Sequence, residues 1–280
     1  MTLLIIGASG FLGGELVRQA TASGHTVAAT FVRNRGHLSG VKWLPLDLRN
    51  PEEIAPVHNA VNPRVVINAA SRKADWAATA EGAIRVAMAA AGRGARLVHV
   101  SSDAVFSGAQ VYYSEAATPD PITPYGAAKA AAETAIRLLA PAAVIARTSL
   151  IIGNGNSEHE TLVHELSDGR RDGALFTDDV RCPVHVSDLA AAILELASSD
   201  HAGIRHIAGP DAVSRHELGL LIAHRDGLDP ATLPAGRRAD AGVPGPLDVR
   251  LDSSRTQHSL RTRVRGAREF LSRETADAAK

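Results

Sequence analysis

Seven residues near the amino terminus constrain the fold most. Gly7-Ala8-Ser9-Gly10-Phe11-Leu12-Gly13 follow the apolar run Thr2 to Ile6 and open a helical stretch from Phe11 to Ser23, which Gly24 ends. A strand that turns through glycines into a helix is the start of a βαβ unit. The glycines allow a tight turn and let backbone N–H groups come close to a pyrophosphate, which then sits at the positive end of the helix. Gly7, Ser9, Gly10, Phe11, Leu12 and Gly13 are therefore candidate dinucleotide-binding residues. An ordinary strand-to-helix turn is the bland alternative. The nucleophile elbow G-x-S-x-G fails, because Phe11 occupies its last glycine position.

The alternation continues through the first half. Thr26 to Phe31, Trp43 to Leu46, Arg64 to Asn68, Arg96 to Ser101 and Ala143 to Thr148 read as strands. Pro51 to His58, Ala74 to Ala91 and Tyr125 to Leu139 read as helices. Strands alternating with helices predict an α/β fold, a doubly wound parallel sheet covered on both faces, with ligands beyond the carboxyl ends of its strands. After about Leu150 the pattern loosens around Gly153-Asn154-Gly155-Asn156, and Ala235 to Pro246 is rich in glycine and proline. Between them, Asp188 to Ser198 reads as helix and Arg205 to Ala208 as strand, while Ser214-Arg215-His216-Glu217 has the form of a capping box. The expected organisation is a dinucleotide-binding domain over 1–150. A smaller, mainly substrate-binding part spans 151–280, with some elements returning to the sheet.

Composition narrows the function classes. The chain has 280 residues, 45% of them apolar, enough to bury a sizeable core. Lysine plus arginine equals aspartate plus glutamate, 30 against 30, which argues against a nucleic-acid-binding surface. The single cysteine, Cys182, can form neither an internal disulfide nor a thiolate cluster. The apolar start is brief and lacks a basic leader, so it reads as a buried strand rather than a signal peptide. No apolar run approaches the roughly 18 residues of a membrane helix. A soluble cytoplasmic protein without membrane partners is the expectation.

Two further patterns carry chemistry. NAD sites place an acid near the end of the second strand, about 20 residues beyond the glycines. Ala28 to Arg35 contains no acid but holds Arg33 and Arg35. An arginine fork suits a ribose 2′-phosphate, so NADP is favoured, with NAD the alternative and solvated loop charges the bland reading. Downstream, Tyr125-Gly126-Ala127-Ala128-Lys129 puts phenol and ammonium on one helix face, where the cation lowers the phenol pKa. Such a tyrosine can hand a proton to a carbonyl oxygen, and Ser102, at a strand end, can hold the same oxygen. The alternatives are concrete: Lys129 could pair with Glu133, and Tyr125 could merely start a helix.

These pieces occur in one order with several others: Leu46-Asp47-Leu48, Asn68-Ala69-Ala70, Ser101-Ser102-Asp103-Ala104-Val105-Phe106, Arg147-Thr148-Ser149 and Pro183-Val184-His185-Val186-Ser187-Asp188-Leu189-Ala190. Together they are spread in order across about two-thirds of the chain, and the chain resembles the extended short-chain dehydrogenase/reductase superfamily. Within it the match is to the dTDP-4-dehydrorhamnose reductase-like branch, related to NAD-dependent epimerases and dehydratases. The resemblance implies a Rossmann-type fold. It implies catalytic roles for Ser102, Tyr125 and Lys129, with Tyr125 and Lys129 also at the cofactor and Lys129 on the nicotinamide ribose. Asp47 and Leu48 would border the adenine, and Ala69, Ala70 and Ser71 would run beneath the cofactor. Asp103, Phe106 and Arg147 would stand near the substrate. For Asp47 a turn residue, and for Asn68 a strand-end cap, are the competing readings.

Three departures bear on the substrate. Thr79-Ala80-Glu81 stands where the family often has a helix asparagine, Ala104 replaces a tyrosine, and Cys182 an arginine. The implied function is an NADP-dependent reductase of a keto group on a nucleotide-linked 4-keto-deoxysugar, acting as a homodimer. The alternatives are a sugar-nucleotide epimerase or dehydratase retaining NAD, and a non-catalytic NADP-binding regulatory subunit. No metal site is expected: His164-Glu165 begins H-E-x-x-H, but Asp168 breaks it, and His159 lies on another helix face. Arg261, Arg263, Arg265 and Arg268, close to Glu269, Glu274 and Asp277, read as a solvated helix face. Trp43 and Trp76 read as packing residues, with an approach to the nicotinamide side the alternative for Trp76, which follows the cofactor strand.

Overall fold

A computed structural model describes residues 1–272; Glu274 and Asp277 lie outside the described residues. The chain divides into two compact units. The first comprises residues 1–105, 123–147 and 190–205, and the second 106–122, 148–189 and 206–280.

The first unit is built on a seven-stranded sheet. Its strands are β1 (Thr2–Ile6), β2 (Thr26–Phe31), β3 (Lys42–Pro45), β4 (Val65–Asn68), β5 (Arg96–Ser102), β6 (Val144–Thr148) and β7 (Gly203–Ile207). In space they run β7-β6-β5-β4-β1-β2-β3. The pairings of β1 with β2 and β4, of β2 with β3 and of β4 with β5 are parallel. Strand order reverses on either side of β1, which makes the sheet doubly wound and opens a crevice beyond the carboxyl end of β1, where the glycine loop lies. β4 is buried at every position, as expected of a strand covered on both faces.

The covering helices are α1 (Phe11–Ala22), α2 (Pro51–Val61), α3 (Gly82–Ala91) and α4 (Pro124–Leu139). α4 buries Ala128, Lys129, Ala132, Glu133 and Ile136, spaced three and four apart along one face. It starts where Thr123 Oγ1 accepts from Gly126 N at 3.1 Å and Pro124 takes the first turn. Ala132 and Ile136 pack with Leu97 of β5 and with Val86 and Ala87 of α3 in one apolar cluster.

The alanine-rich stretch differs from the single helix expected. A π-turn spans Ala77–Glu81 ahead of α3. Asp75 starts it, its Oδ1 accepting from Ala78 N at 3.0 Å. A period of 3.6 in the apolar pattern cannot announce one inserted residue, and such turns cluster at functional sites.

The second unit holds α5 (Glu158–Ser167), α7 (Arg215–Asp226) and the first residues of α6 (Val186–Ala197). Two-residue strands pair around them, Ile151–Ile152 with Val184–His185 and Val180–Arg181 with Val213–Ser214. Ser157 and Glu160 form a full capping box at α5, which the sequence reading did not single out. At α7 only the serine half is in place: Ser214 Oγ accepts from Glu217 N at 3.0 Å, while the Glu217 carboxylate pairs with Arg268. The basic cluster is correspondingly paired rather than merely solvated, Arg263 with Glu269 at 2.7 Å and Arg265 with Asp188 at 2.8 Å. No helix among the described residues is long and apolar enough to cross a membrane.

Candidate active site

The glycine loop is fixed by space as much as by conformation. Gly7 has φ +78°, and a Cβ there would lie 2.7 Å from the backbone of Ala70. A Cβ on Gly13 would lie 2.1 Å from the carbonyl oxygen of Gly7, so only hydrogen lets α1 pack on the loop. Gly10 N donates to Gly7 O at 3.0 Å, closing the turn, and Gly7 N donates to Thr30 Oγ1 at 3.2 Å. α1 begins at Gly10 with no side-chain cap and no acid in its first turn. The terminal N–H groups are thus left to whatever lies against them.

Beside this loop is a cavity of about 740 Å³, within the range of small-molecule sites. Of the expected cofactor residues, Gly7, Ser9, Arg33, Asp47, Leu48, Ala70 and Ser71 line it. Gly10, Phe11, Leu12, Gly13 and Ala69 shape the turn without lining the cavity, and Tyr125 and Lys129 do not line it. Arg35, Arg49 and Arg72 also line it, and the last two went unremarked in the sequence. Arg49 binds Asp47 through Nε, at 3.0 Å from each carboxylate oxygen, and these bonds hold the Asp47 carboxyl below its usual range. Asp47 is also a turn residue, its Oδ1 accepting from Arg49 N at 3.0 Å. Arg33, Arg35 and Arg72 are exposed. Bare N–H groups at a helix start, a cradle that any Cβ would fill, and surplus guanidinium charge fit a phosphorylated dinucleotide.

At the end of β5, Ser102 Oγ donates to Asp103 Oδ1 at 3.2 Å and accepts from Ala104 N at 3.2 Å. The 3₁₀ turn Asp103–Val105 packs against α4. On α4, Tyr125 is half-buried and Lys129 is buried, with Lys129 Nζ 6.0 Å from the Tyr125 ring centroid. Lys129 Nζ donates to Val100 O at 2.9 Å. Burial lowers its pKa to about 8, with the charge of Glu133 opposing.

Lys129 does not pair with Glu133, the alternative that the spacing allowed. Glu133 is held instead by Ser101 Oγ at 2.5 Å and by Arg147 Nη2 at 2.7 Å, all three buried. Next to this group, Asn68 Nδ2 approaches His99 Nδ1 at 3.4 Å, while Asn68 Oδ1 accepts from Ala70 N at 3.1 Å. Asn68 thus caps the strand end. Burial keeps the His99 pKa well below its ordinary value, the Lys129 charge pushing the same way, so the floor beneath α4 holds a neutral imidazole.

The expected substrate residues separate. Asp103 is buried at the strand end beside Ser102. Arg147 exposes 0% of its surface and pairs with Glu133, so it supports α4 rather than facing a ligand. Phe106 also exposes 0%, stacked on Tyr113 at 4.0 Å between centroids. Residues fully covered by protein offer no atom to a small molecule, and substrate contact is not assigned to either. Trp76 is 49% exposed rather than packed.

The second unit contributes a cluster that the sequence did not announce. Asp179, fully buried, pairs with Arg181 at 2.8 Å, Arg215 at 3.3 Å and Arg238 at 2.5 Å. One buried carboxylate thus gathers three guanidiniums. The histidines weighed as ligands are otherwise engaged, His164 Nε2 with Asp226 at 2.7 Å and His159 Nδ1 with Arg215 at 3.2 Å.

Sheet order, glycine loop and the Ser102, Tyr125 and Lys129 arrangement define a Rossmann-type protein of the extended short-chain dehydrogenase/reductase class. The chain belongs to the family described as RmlD substrate binding domain, which it matches over residues 1–279. It is 30% identical over 260 residues to a dTDP-4-dehydrorhamnose reductase of Mycobacterium tuberculosis, covering 87% of this chain and 82% of the relative. A crystal structure of a hypothetical dTDP-4-dehydrorhamnose reductase from Sulfolobus tokodaii superposes with TM-score 0.80 at 32% identity, covering 94% of this chain and 96% of that one. The dTDP-4-dehydrorhamnose reductase of Bacillus anthracis in complex with NADP shares the fold, with TM-score 0.83 at 22% identity over 100% of this chain and 99% of that one.

Proposed function

We propose that this protein is an NADPH-dependent reductase of a keto group on a nucleotide-linked deoxysugar, with Tyr125 as proton donor. The observation that carries the reading is a half-buried Tyr125 with a buried Lys129 ammonium 6.0 Å from its ring, on the helix that packs against the turn after Ser102. The named reductases among its relatives support the reaction class.

Gly7 and Ser9 would hold the cofactor with Ala70 and Ser71 beneath it, and Arg33 would take the 2′-phosphate, favouring NADP over NAD. The bound cofactor supplies the reducing equivalent. The protein's share is orientation and proton handling. Tyr125 Oη donates its proton to the carbonyl oxygen, and Ser102 Oγ donates a hydrogen bond to the same atom as its negative charge develops. The Lys129 charge favours the phenolate left behind, and Lys129 also serves the nicotinamide ribose. Asp103, beside Ser102, would meet the sugar. The second unit is read as the substrate-recognising part. The family resemblance adds a cytoplasmic homodimer, which fractionation and sedimentation check.

The test is oxidation of NADPH by the purified protein with a panel of nucleotide-linked 4-keto-6-deoxysugars. Replacing Tyr125 by Phe is expected to slow turnover about 10²–10⁴-fold, the usual worth of a general acid, while NADPH still binds. Full activity in that variant would end the reading.

A further inference from the structure

Arg72 stands on a backbone fixed from both sides. Its N–H donates to Thr79 Oγ1 at 2.9 Å, and its carbonyl accepts from the same hydroxyl at 2.9 Å. Thr79 is 1% exposed and lies in the π-turn Ala77–Glu81. One hydroxyl thus accepts from and donates to a single loop residue. A loop free to wander would not keep both bonds.

The side chain carried by this fixed backbone is exposed and lines the cavity, where its charge adds to that of Arg49 in lowering the Asp47 carboxyl. The acids of the same cavity are already committed. Asp47 is held by Arg49, and Asp75 Oδ1 takes the N–H of Ala78. Arg72 leaves the chain two residues after Ala70, whose backbone a Gly7 Cβ would meet at 2.7 Å. It therefore sits next to the loop that would receive a pyrophosphate, while Arg33 and Arg35 line the same cavity from the segment after β2. The helix start contributes only about half an elementary charge, against the two negative charges of a pyrophosphate. A planar guanidinium beside it adds a full positive charge and can bind two phosphate oxygens at once.

We propose that Arg72 clamps the pyrophosphate of the bound dinucleotide, and that Thr79 is the positioning residue that holds Arg72 to this task. The proposal rests on reading the cavity as a dinucleotide site. It gives the π-turn a purpose: the turn delivers a buried hydroxyl to residue 72, at the stretch where the family often carries an asparagine.

The test is calorimetric titration of the full chain with NADP⁺ and NAD⁺, separate from turnover. Arg72→Ala is expected to weaken both about tenfold, as loss of a charge-assisted hydrogen bond would, with an unchanged melting temperature because the side chain is exposed. Arg72→Lys should restore part of the loss. Arg33→Ala should weaken NADP⁺ alone. Thr79→Val should weaken both dinucleotides by a smaller factor, roughly two- to fivefold, and Thr79→Ser, which keeps the hydroxyl, should not. A loss in Arg72→Ala confined to NADP⁺ would assign Arg72 to the 2′-phosphate and overturn the clamp, as would no loss at all. Wild-type protein that binds neither dinucleotide would overturn the cavity reading itself.

Discussion

Two arginine-bearing regions of the first unit treat charge in opposite ways. Beneath α4, Arg147 is buried and locked to Glu133, which also takes the Ser101 hydroxyl. At the glycine-loop cavity, Arg33, Arg35 and Arg72 stand exposed. The helix starts repeat the contrast: Thr123 closes α4, whereas Gly10 leaves α1 open. A closed network holds a helix in one position. An open set of donors gains its partners only when an anion arrives. The first arrangement suits side chains that must not move during proton transfer, and the second suits a ligand that comes and goes.

The contrast breaks first at the floor. Arg147→Ala leaves Glu133 buried without its cation and is expected to cost about 3–5 kcal/mol, read as a large shift in the denaturant midpoint. A loss below about 1 kcal/mol would mean that the pair is not the support described, since exposed pairs are worth that little.

The next effect is one of pH. Lys129 titrates near 8 in the folded protein against 10.5 unfolded. Between those values the unfolded chain binds the additional proton, so this group makes stability rise with pH across the window, and its burial penalty is fully present below pH 8. Lys129→Met should remove that slope in melts run from pH 7.5 to 10.5. An unchanged slope would place the perturbed group elsewhere.

Smaller effects sharpen the comparison of helix starts. Thr123→Ala should cost about 1 kcal/mol in unfolding free energy and leave dinucleotide affinity alone. Gly10→Asp should act chiefly on binding: a Cβ there lies 3.2 Å from Gly7 O, so some stability is lost, while dinucleotide affinity falls about tenfold because an anion now occupies the open helix end. Equal responses to the two substitutions would erase the distinction between a closed and an open start.

Much of the site was legible because its signals are local. Gly7 to Gly13, Tyr125 with Lys129, and Ser102 at a strand end are short patterns whose geometry follows from strand and helix periods. Asn68 was ambiguous because an amide can cap a strand end or touch a ligand, and the structure shows the capping bond to Ala70 N. Arg147, expected near the substrate, is buried and paired with Glu133. Its neighbours in sequence, Thr148 and Ser149, say nothing of Glu133 on another element. The π-turn was invisible because Ala77 to Ala91 has the composition of any helix.

By itself the sequence determined the class of fold and brought together the groups proposed to react. Strand, glycine turn and helix occur at fixed spacing, and a four-residue step sets phenol and ammonium on one face whatever surrounds them. Only the tertiary structure decided the fate of each charge. Asp179 gathers Arg181, Arg215 and Arg238, Glu133 takes Arg147 and leaves Lys129 to Val100 O, and Thr79 pins Arg72. The reason is physical. Helix and strand geometry are set within a few residues, whereas a charge is paired or left open by groups that only the folded chain brings within hydrogen-bonding reach.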